Sequence, residues 1–388
     1  MKKKILIASC PLNPGGTTSA LLNLLKKIDY EKLDVTLALE KYEGDFLDEI
    51  PKEVKVFASK KDKTIWDKLW NKTIYLLKGV YFLLLYYIFF KKDKGSLYRY
   101  QIMSGIGGAA VSKKAKGYFD MALGFMEGWP NNYVIKKVNA QKKHILIHPD
   151  YKSCGLDKDL DRYLFEKADY ILFVAPALKE SFDNMLPQYK QKTGVLKNIV
   201  DRDEIAKKAD EKADFEFDKN YFNIVTLSRL RIFDKGIDIA IEAAEKLKES
   251  GVKFRWYVLG WGEDYKALQK MVYEKGLSGM FFLCGAKKNP YPYLKNADLF
   301  VLTSRYEGLP VSVTEAQMLG VVVLVTNYLT AREQVKDNYD GLVADCTAES
   351  IYNGIYKLYT DKEFYCKLKR SICERDFSFD VESFYSLV

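Results

Sequence analysis

The sequence predicts a two-unit α/β protein in which each unit is a doubly wound, mostly parallel sheet. Three observations carry that expectation. Short, continuous apolar runs alternate with helical runs along the chain. The series breaks once, at the polar stretch 201–220 (DRDEIAKKADEKADFEFDKN), and then starts again. Finally, 388 residues suit two domains of roughly 150–200 residues each better than one compact body.

In the first series Lys4–Ser9 reads as a strand, followed by a Pro/Gly loop and a helical run over Thr17–Lys27. Val35–Leu39, Met121–Phe125, His144–His148 and Tyr170–Val174 are further apolar runs of the length expected for strands buried on both faces. The charged stretch 201–220 is the linker candidate. Beyond it, strands are expected at Phe222–Leu227, Arg255–Leu259, Met280–Leu283, Asp298–Leu302 and Val321–Val325. Helices are expected at Ile237–Lys248, Tyr265–Lys275 and near Val311–Leu319. Ligands of such sheets bind at the carboxyl ends of the strands, and a pair of such units leaves a cleft between domains.

Composition narrows the function classes. With 48% hydrophobic and 29% charged residues the chain can bury real cores and is not a disordered tail. A net charge of +9 favours an anionic partner: nucleic acid, acidic lipid headgroups or phosphorylated substrates. The six cysteines are scattered without a C-x-x-C pair, so they read as reduced thiols rather than a disulfide or zinc framework. The opening MKKKILIASC has too short an apolar run for a secretory signal and reads as a first strand, so the expected compartment is cytoplasmic.

The segment from Trp66 to Lys94 complicates that picture. Residues 74–90 are almost wholly apolar and aromatic, flanked by Lys72, Lys91, Lys92 and Lys94. The run is short for a membrane span and carries Lys78 inside it. Three readings stay open: a helix lying in a membrane interface at the anionic inner face, an ordinary core helix, and a true membrane span.

Four motifs could carry chemistry. The first is Glu307-Gly308-Leu309-Pro310-Val311-Ser-Val-Thr-Glu315, two carboxylates at the junction of a strand, a Gly/Pro turn and a helix. Free N–H groups and the helix dipole make such a junction suited to phosphate. Glu315, in the first turns of the helix, could accept from a ribose diol. The second is Ser228-Arg229-Leu-Arg-Ile-Phe-Asp-Lys235-Gly236, directly after a strand. Its two cations can converge on a diphosphate, and they would stabilise it as a leaving group. The third, Gly260-Trp-Gly262, is weak by itself and is usually a tight turn. The fourth is Asn13-Pro-Gly15-Gly16-Thr-Thr-Ser19, after the first strand. It lacks the Lys-Ser/Thr of a P-loop and the third Gly of a dinucleotide fingerprint, which disfavours an ATPase or a dehydrogenase.

The order Ser-Arg-Leu then Lys-Gly, Val-Leu-Gly-x-Gly, and E-x7-E closely resembles the family 4 retaining glycosyltransferases. The resemblance spans about Phe222 to Asp345, includes the later Arg-Glu-Gln-Val and Asp-Gly341-Leu-Val, and is looser over the N-terminal half. Two turns depart from the family pattern: Gly320-Val-Val322 where Gly-x-Pro is common, and Asp340-Gly341 where Asn-Gly is common.

The resemblance implies the GT-B fold, two Rossmann-like doubly wound domains facing across a cleft. The expected boundaries are 1–200 for the acceptor side and 201–371 for the donor side, with 372–388 packing back on the first. It implies a UDP-sugar or other nucleotide sugar as co-substrate, no metal or other cofactor, and no nucleic acid. Arg229 and Lys235 would grip the diphosphate, Glu307 a sugar hydroxyl and Glu315 the ribose. Gly308, Leu309, Pro310 and Val311 would line the donor. The backbone of Gly285, Ala286 and Lys287 would meet the base, and Gly15 and Gly16 would close on the phosphates from the other domain. His148 matches a cleft histidine of the family, and Glu127 is an acceptor-side carboxylate candidate. The acceptor expected is a hydroxyl of a lipid-linked glycan or glycolipid used for surface polysaccharide. The competing readings are a catalytically silent nucleotide-sugar-binding subunit and a phosphorylase or epimerase of the same fold.

Overall fold

The computed structural model describes residues 2–59, 73, 77, 80, 98, 100–377 and 381–388. Most of the Trp66–Lys94 segment, and with it the membrane-contact expectation, lies outside the described residues. The chain divides into two compact units, Met1–Ile199 with Phe379–Val388, and Val200–Ser378.

The first unit is built on a seven-stranded sheet ordered β3-β2-β1-β4-β5-β6-β7. Its strands are β1 (Lys3–Ser9), β2 (Leu33–Leu39), β3 (Lys55–Ala58), β4 (Phe119–Gly124), β5 (Ala140–Ile147), β6 (Tyr170–Phe173) and β7 (Thr193–Val195). All pairings are parallel, with β1 bonded to β2 and β4 in the registers Ile5↔Val35 and Ile5↔Met121. Ile5, Leu6 and Ile7 are wholly buried, as a central parallel strand with both faces covered requires. The short strands β3 and β7 escape sequence reading. β3 is a half-exposed edge strand, and the three residues of β7 offer no period to detect.

The second unit repeats the order with six strands, β10-β9-β8-β11-β12-β13. These are β8 (Phe222–Leu227), β9 (Phe254–Leu259), β10 (Phe281–Leu283), β11 (Leu299–Leu302), β12 (Val322–Thr326) and β13 (Leu342–Ala344). Both sheets therefore carry the doubly wound order, in which the path reverses beside the first strand. The reversal leaves a crevice outside the carboxyl ends of β1 and β4 in one unit, and of β8 and β11 in the other.

Two boundaries differ from expectation. The stretch 201–220 is not an unstructured linker. Asp201 caps the helix Arg202–Ala209 by accepting from the Asp203 and Glu204 N–H groups, and Ile205 packs with Val311 and Met318. The return of the chain to the first unit also comes later than residue 372, because Ile372 is buried in the core of the second unit. In the first unit the terminal segment is held by Phe384, which is fully buried, and by the Asp29 N–H donating to the Tyr385 hydroxyl at 2.7 Å.

Candidate functional site

In the second unit the cationic motif begins where β8 ends. Ser228 and Leu230 donate their N–H groups to the carbonyls of Leu259 and Trp261 (3.1 and 3.2 Å). The Gly260-Trp-Gly262 turn thus lies against the cationic segment. A β-carbon at Gly260 would stand 1.8 Å from the Ser228 carbonyl oxygen, so close backbone approach accounts for that glycine without any ligand. Arg229 is exposed; its carbonyl accepts from the Arg231 N–H at 2.9 Å, and its guanidinium makes no hydrogen bond or ion pair among the described residues.

Lys235 ends the short helix Ile232–Lys235, closed by Gly236 in the left-handed region (φ +59). A β-carbon there would meet the Thr303 carbonyl oxygen at 2.1 Å, so both conformation and space demand glycine. This contact brings the Lys235 turn onto the loop after β11. Lys235 Nζ lies 2.8 Å from Glu307 Oε1, with the two side chains 13% and 11% exposed. The Ser304 hydroxyl donates to the same oxygen at 2.6 Å. Arg305 reinforces the junction: its guanidinium binds both oxygens of Asp238 (2.9 and 2.6 Å) and the Ile232 carbonyl (2.6 Å).

Beyond Glu307, the Gly308–Pro310 turn leads into the helix Val311–Met318, whose N-cap, Pro310, supplies no capping side chain. Glu315 is not a solvated charge. It is 5% exposed and accepts from the Tyr291 hydroxyl at 2.9 Å. Burial pushes its carboxyl up to about 7, opposed by that hydrogen bond and by the charge of Lys208.

The Gly285–Lys287 backbone follows β10, and the Gly285 carbonyl accepts from the Gly260 N–H at 2.9 Å. The Lys287 side chain is already engaged. It pairs with Asp214 at 2.5 Å and lies over the rings of Phe215 and Tyr293.

In the first unit, Gly15 and Gly16 are exposed at the start of the helix Gly16–Lys27, beyond the carboxyl end of β1. A β-carbon at Gly15 would meet nothing within 4 Å, so no packing contact accounts for it. Glu127 follows β4 and His148 follows β5. The two meet through the His148 N–H, which lies 3.4 Å from a Glu127 carboxylate oxygen. The His148 ring stands 5.7 Å from that of Phe125, and neither ring nitrogen has a hydrogen bond of good geometry. Burial pushes its pKa down to about 4, with Asn198 pulling weakly the other way, so the imidazole is neutral at neutral pH.

Sequence reading missed Ser304, Arg305, Asp238, Tyr291, Thr330 and Gln334. Ser304 and Arg305 shortly precede Glu307 in sequence, but nothing local marks the Ser304 hydroxyl as its donor, and the partners of Arg305, Ile232 and Asp238, lie 73 and 67 positions away. Among the described residues no group of three His, Cys, Asp or Glu side chains is placed to hold a metal.

Residues 207–374 match the family model described as Glycosyl transferases group 1. The chain is 27% identical over 259 residues to a poly(ribitol-phosphate) alpha-N-acetylglucosaminyltransferase of Staphylococcus aureus, covering 64% of this chain and 50% of the relative. It is also 27% identical over 158 residues to the N,N'-diacetylbacillosaminyl-diphospho-undecaprenol alpha-1,3-N-acetylgalactosaminyltransferase of Campylobacter jejuni, covering 40% and 41%. The matches span between 41% and 62% of the length of the curated relatives compared. Among solved structures, Anabaena Alr3699/HepE in complex with UDP and glucose superposes with a TM-score of 0.68 at 16% identity, covering 99% of this chain and 97% of that one. The fold is thus GT-B, with two parallel-sheet Rossmann-like domains.

Proposed function

We propose that this chain is a retaining glycosyltransferase that moves a sugar from a UDP-sugar to a hydroxyl of a lipid-linked glycan or glycolipid. The observation that carries the reading is the Lys235–Glu307 pair, set at the strand-order reversal of the second sheet beside an uncapped helix N-terminus. A nucleoside diphosphate gains charge as it leaves. Exposed Arg229 and preoriented Lys235 are suited to stabilise that charge, while the helix N-terminus adds N–H donors. Glu307 would hold a donor sugar hydroxyl, Glu315 the ribose diol and the Gly285–Lys287 backbone the base. In the first unit, Glu127 and His148, which follow β4 and β5, would meet the acceptor. The acceptor hydroxyl would attack on the face the diphosphate leaves, giving up its proton to a diphosphate oxygen.

The family match over 207–374 and relatives named for transfer to polyol-phosphate and diphospho-undecaprenol acceptors support a glycan acceptor. The basic, aromatic segment Trp66–Lys94 supports work at the anionic inner face of a membrane. No helix among the described residues is long and apolar enough to cross one.

The test is a thermal-shift screen of nucleoside diphosphates and nucleotide sugars, since a ligand that binds only the folded state raises stability by mass action. UDP and one UDP-sugar should raise the melting temperature, and labelled sugar from that donor should pass to a lipid extract. No shift with any nucleotide would refute the donor site. A shift without transfer or donor hydrolysis would favour a silent binding subunit, and turnover with inorganic phosphate a phosphorylase.

A further inference from the structure

The turn between the two glutamates is held from behind. Thr330 is the N-cap of the short helix Ala331–Gln334, where a threonine hydroxyl ordinarily accepts from the helix's own N–H groups. It makes no such cap. Instead the fully buried Thr330 donates its hydroxyl to the Gly308 carbonyl. Four residues on, Gln334 is 5% exposed and uses its whole amide. Its Nε2 donates to the Pro310 carbonyl (3.0 Å) and to the Thr314 hydroxyl (3.1 Å), while its Oε1 accepts from the Tyr328 hydroxyl (3.1 Å). The Gln334 carbonyl in turn accepts from Gln317 Nε2 at 3.2 Å and from the Arg375 guanidinium.

A trans peptide is planar, with its C=O and the following N–H pointing in opposite directions. Fixing the Gly308 carbonyl toward Thr330 therefore aims the Leu309 N–H the other way. Fixing the Pro310 carbonyl toward Gln334 does the same for the Val311 N–H. Neither N–H donates to another group of the protein among the described residues. They sit two residues apart at the entrance of an eight-residue helix, between Glu307 and Glu315.

We propose that Thr330 and Gln334 are positioning residues that clamp the Gly308 and Pro310 carbonyls so that the Leu309 and Val311 N–H groups bind the outer phosphate of a nucleoside diphosphate. The proposal rests on the donor-site reading above and goes beyond it by assigning the origin of the site's backbone geometry. Without the clamp both peptide planes can rotate, and the two donors lose their common aim. A monophosphate, held by the base, ribose and inner phosphate, does not depend on them.

The experiment compares Thr330→Val, Thr330→Ser and Gln334→Met with the parent. Calorimetry is run well below each melting temperature, using whichever of UDP, GDP and ADP the parent binds, together with the matching monophosphate. Thr330→Val and Gln334→Met should weaken the diphosphate roughly tenfold, the size of one misaligned charge-assisted hydrogen bond. The monophosphate should bind as in the parent, and Thr330→Ser, which keeps the hydroxyl, should restore diphosphate affinity. Parent-like diphosphate affinity in both variants overturns the clamp, and so does equal loss for mono- and diphosphate. A parent that binds none of the three overturns the donor-site reading and the clamp with it.

Discussion

Lys235 Nζ and Glu307 Oε1 stand 2.8 Å apart although 72 positions separate them in sequence, and both side chains are nearly buried. The pair holds a cation at the carboxyl end of β8 and a carboxylate at that of β11 before any ligand arrives. Arg229 has no such restraint.

That difference separates the two cations experimentally. Arg229→Ala and Lys235→Ala should each slow transfer by about 100-fold, the cost of roughly 3 kcal/mol for one lost oxyanion donor. Only Lys235→Ala should also lower the melting temperature, because it leaves Glu307 nearly buried without its cation. Lys235→Met/Glu307→Gln should recover most of that stability without recovering activity. Equal melting temperatures for the two alanine variants would contradict the structural role of the pair.

Glu315 predicts a stability change with a fixed sign. Its folded pKa, pushed up to about 7, lies above the usual 4.5, so between those values the folded chain binds more protons than the unfolded one. Its contribution is full below about pH 4.5 and is lost as pH rises through 7. The loss is on the order of 3 kcal/mol at most. Glu315→Gln, which imitates the protonated form, should therefore gain stability relative to the parent on going from pH 5 to pH 8. A constant difference in melting temperature across that range would refute it.

His148 gives the opposite slope. Burial holds its folded pKa near 4, below the usual 6.5, so the unfolded chain takes up protons first. Stability should fall as pH drops from 6.5 toward 4, and His148→Gln should remove part of that fall. Titration of the parent and variant by urea denaturation at pH 7 and pH 5 would show it.

Gly236→Ala tests the junction beneath Lys235. The left-handed backbone and the Thr303 carbonyl oxygen 2.1 Å from a β-carbon act together. The expected loss is at least about 2 kcal/mol of stability, with a loss of diphosphate affinity as Lys235 shifts. An unchanged denaturation midpoint would show that the junction can yield.

The basic segment predicts salt-sensitive membrane binding. Replacing Lys68, Lys72, Lys91, Lys92 and Lys94 by Gln should weaken sedimentation with phosphatidylserine vesicles and leave UDP affinity intact. Undiminished sedimentation would remove the basis for an interfacial acceptor.

The sequence alone carried the alternation of strands and helices, the restart near residue 220, and the strand-end position of Arg229, Lys235 and Glu307. These are local properties, set by apolar runs, breakers and spacing within a few residues. Several other features became visible only in the tertiary structure. The reversal of strand order puts β8 beside β11, and thereby Lys235 beside Glu307. The burial of Glu315 under Tyr291 turns an apparent surface charge into a titrating group. The sequence gives Thr330 and Gln334 no role until their partners, 22 and 24 positions away, are seen. Helices and strands follow from near neighbours in the chain, whereas hydrogen bonds across a parallel sheet depend on which crossovers bring distant strand ends together.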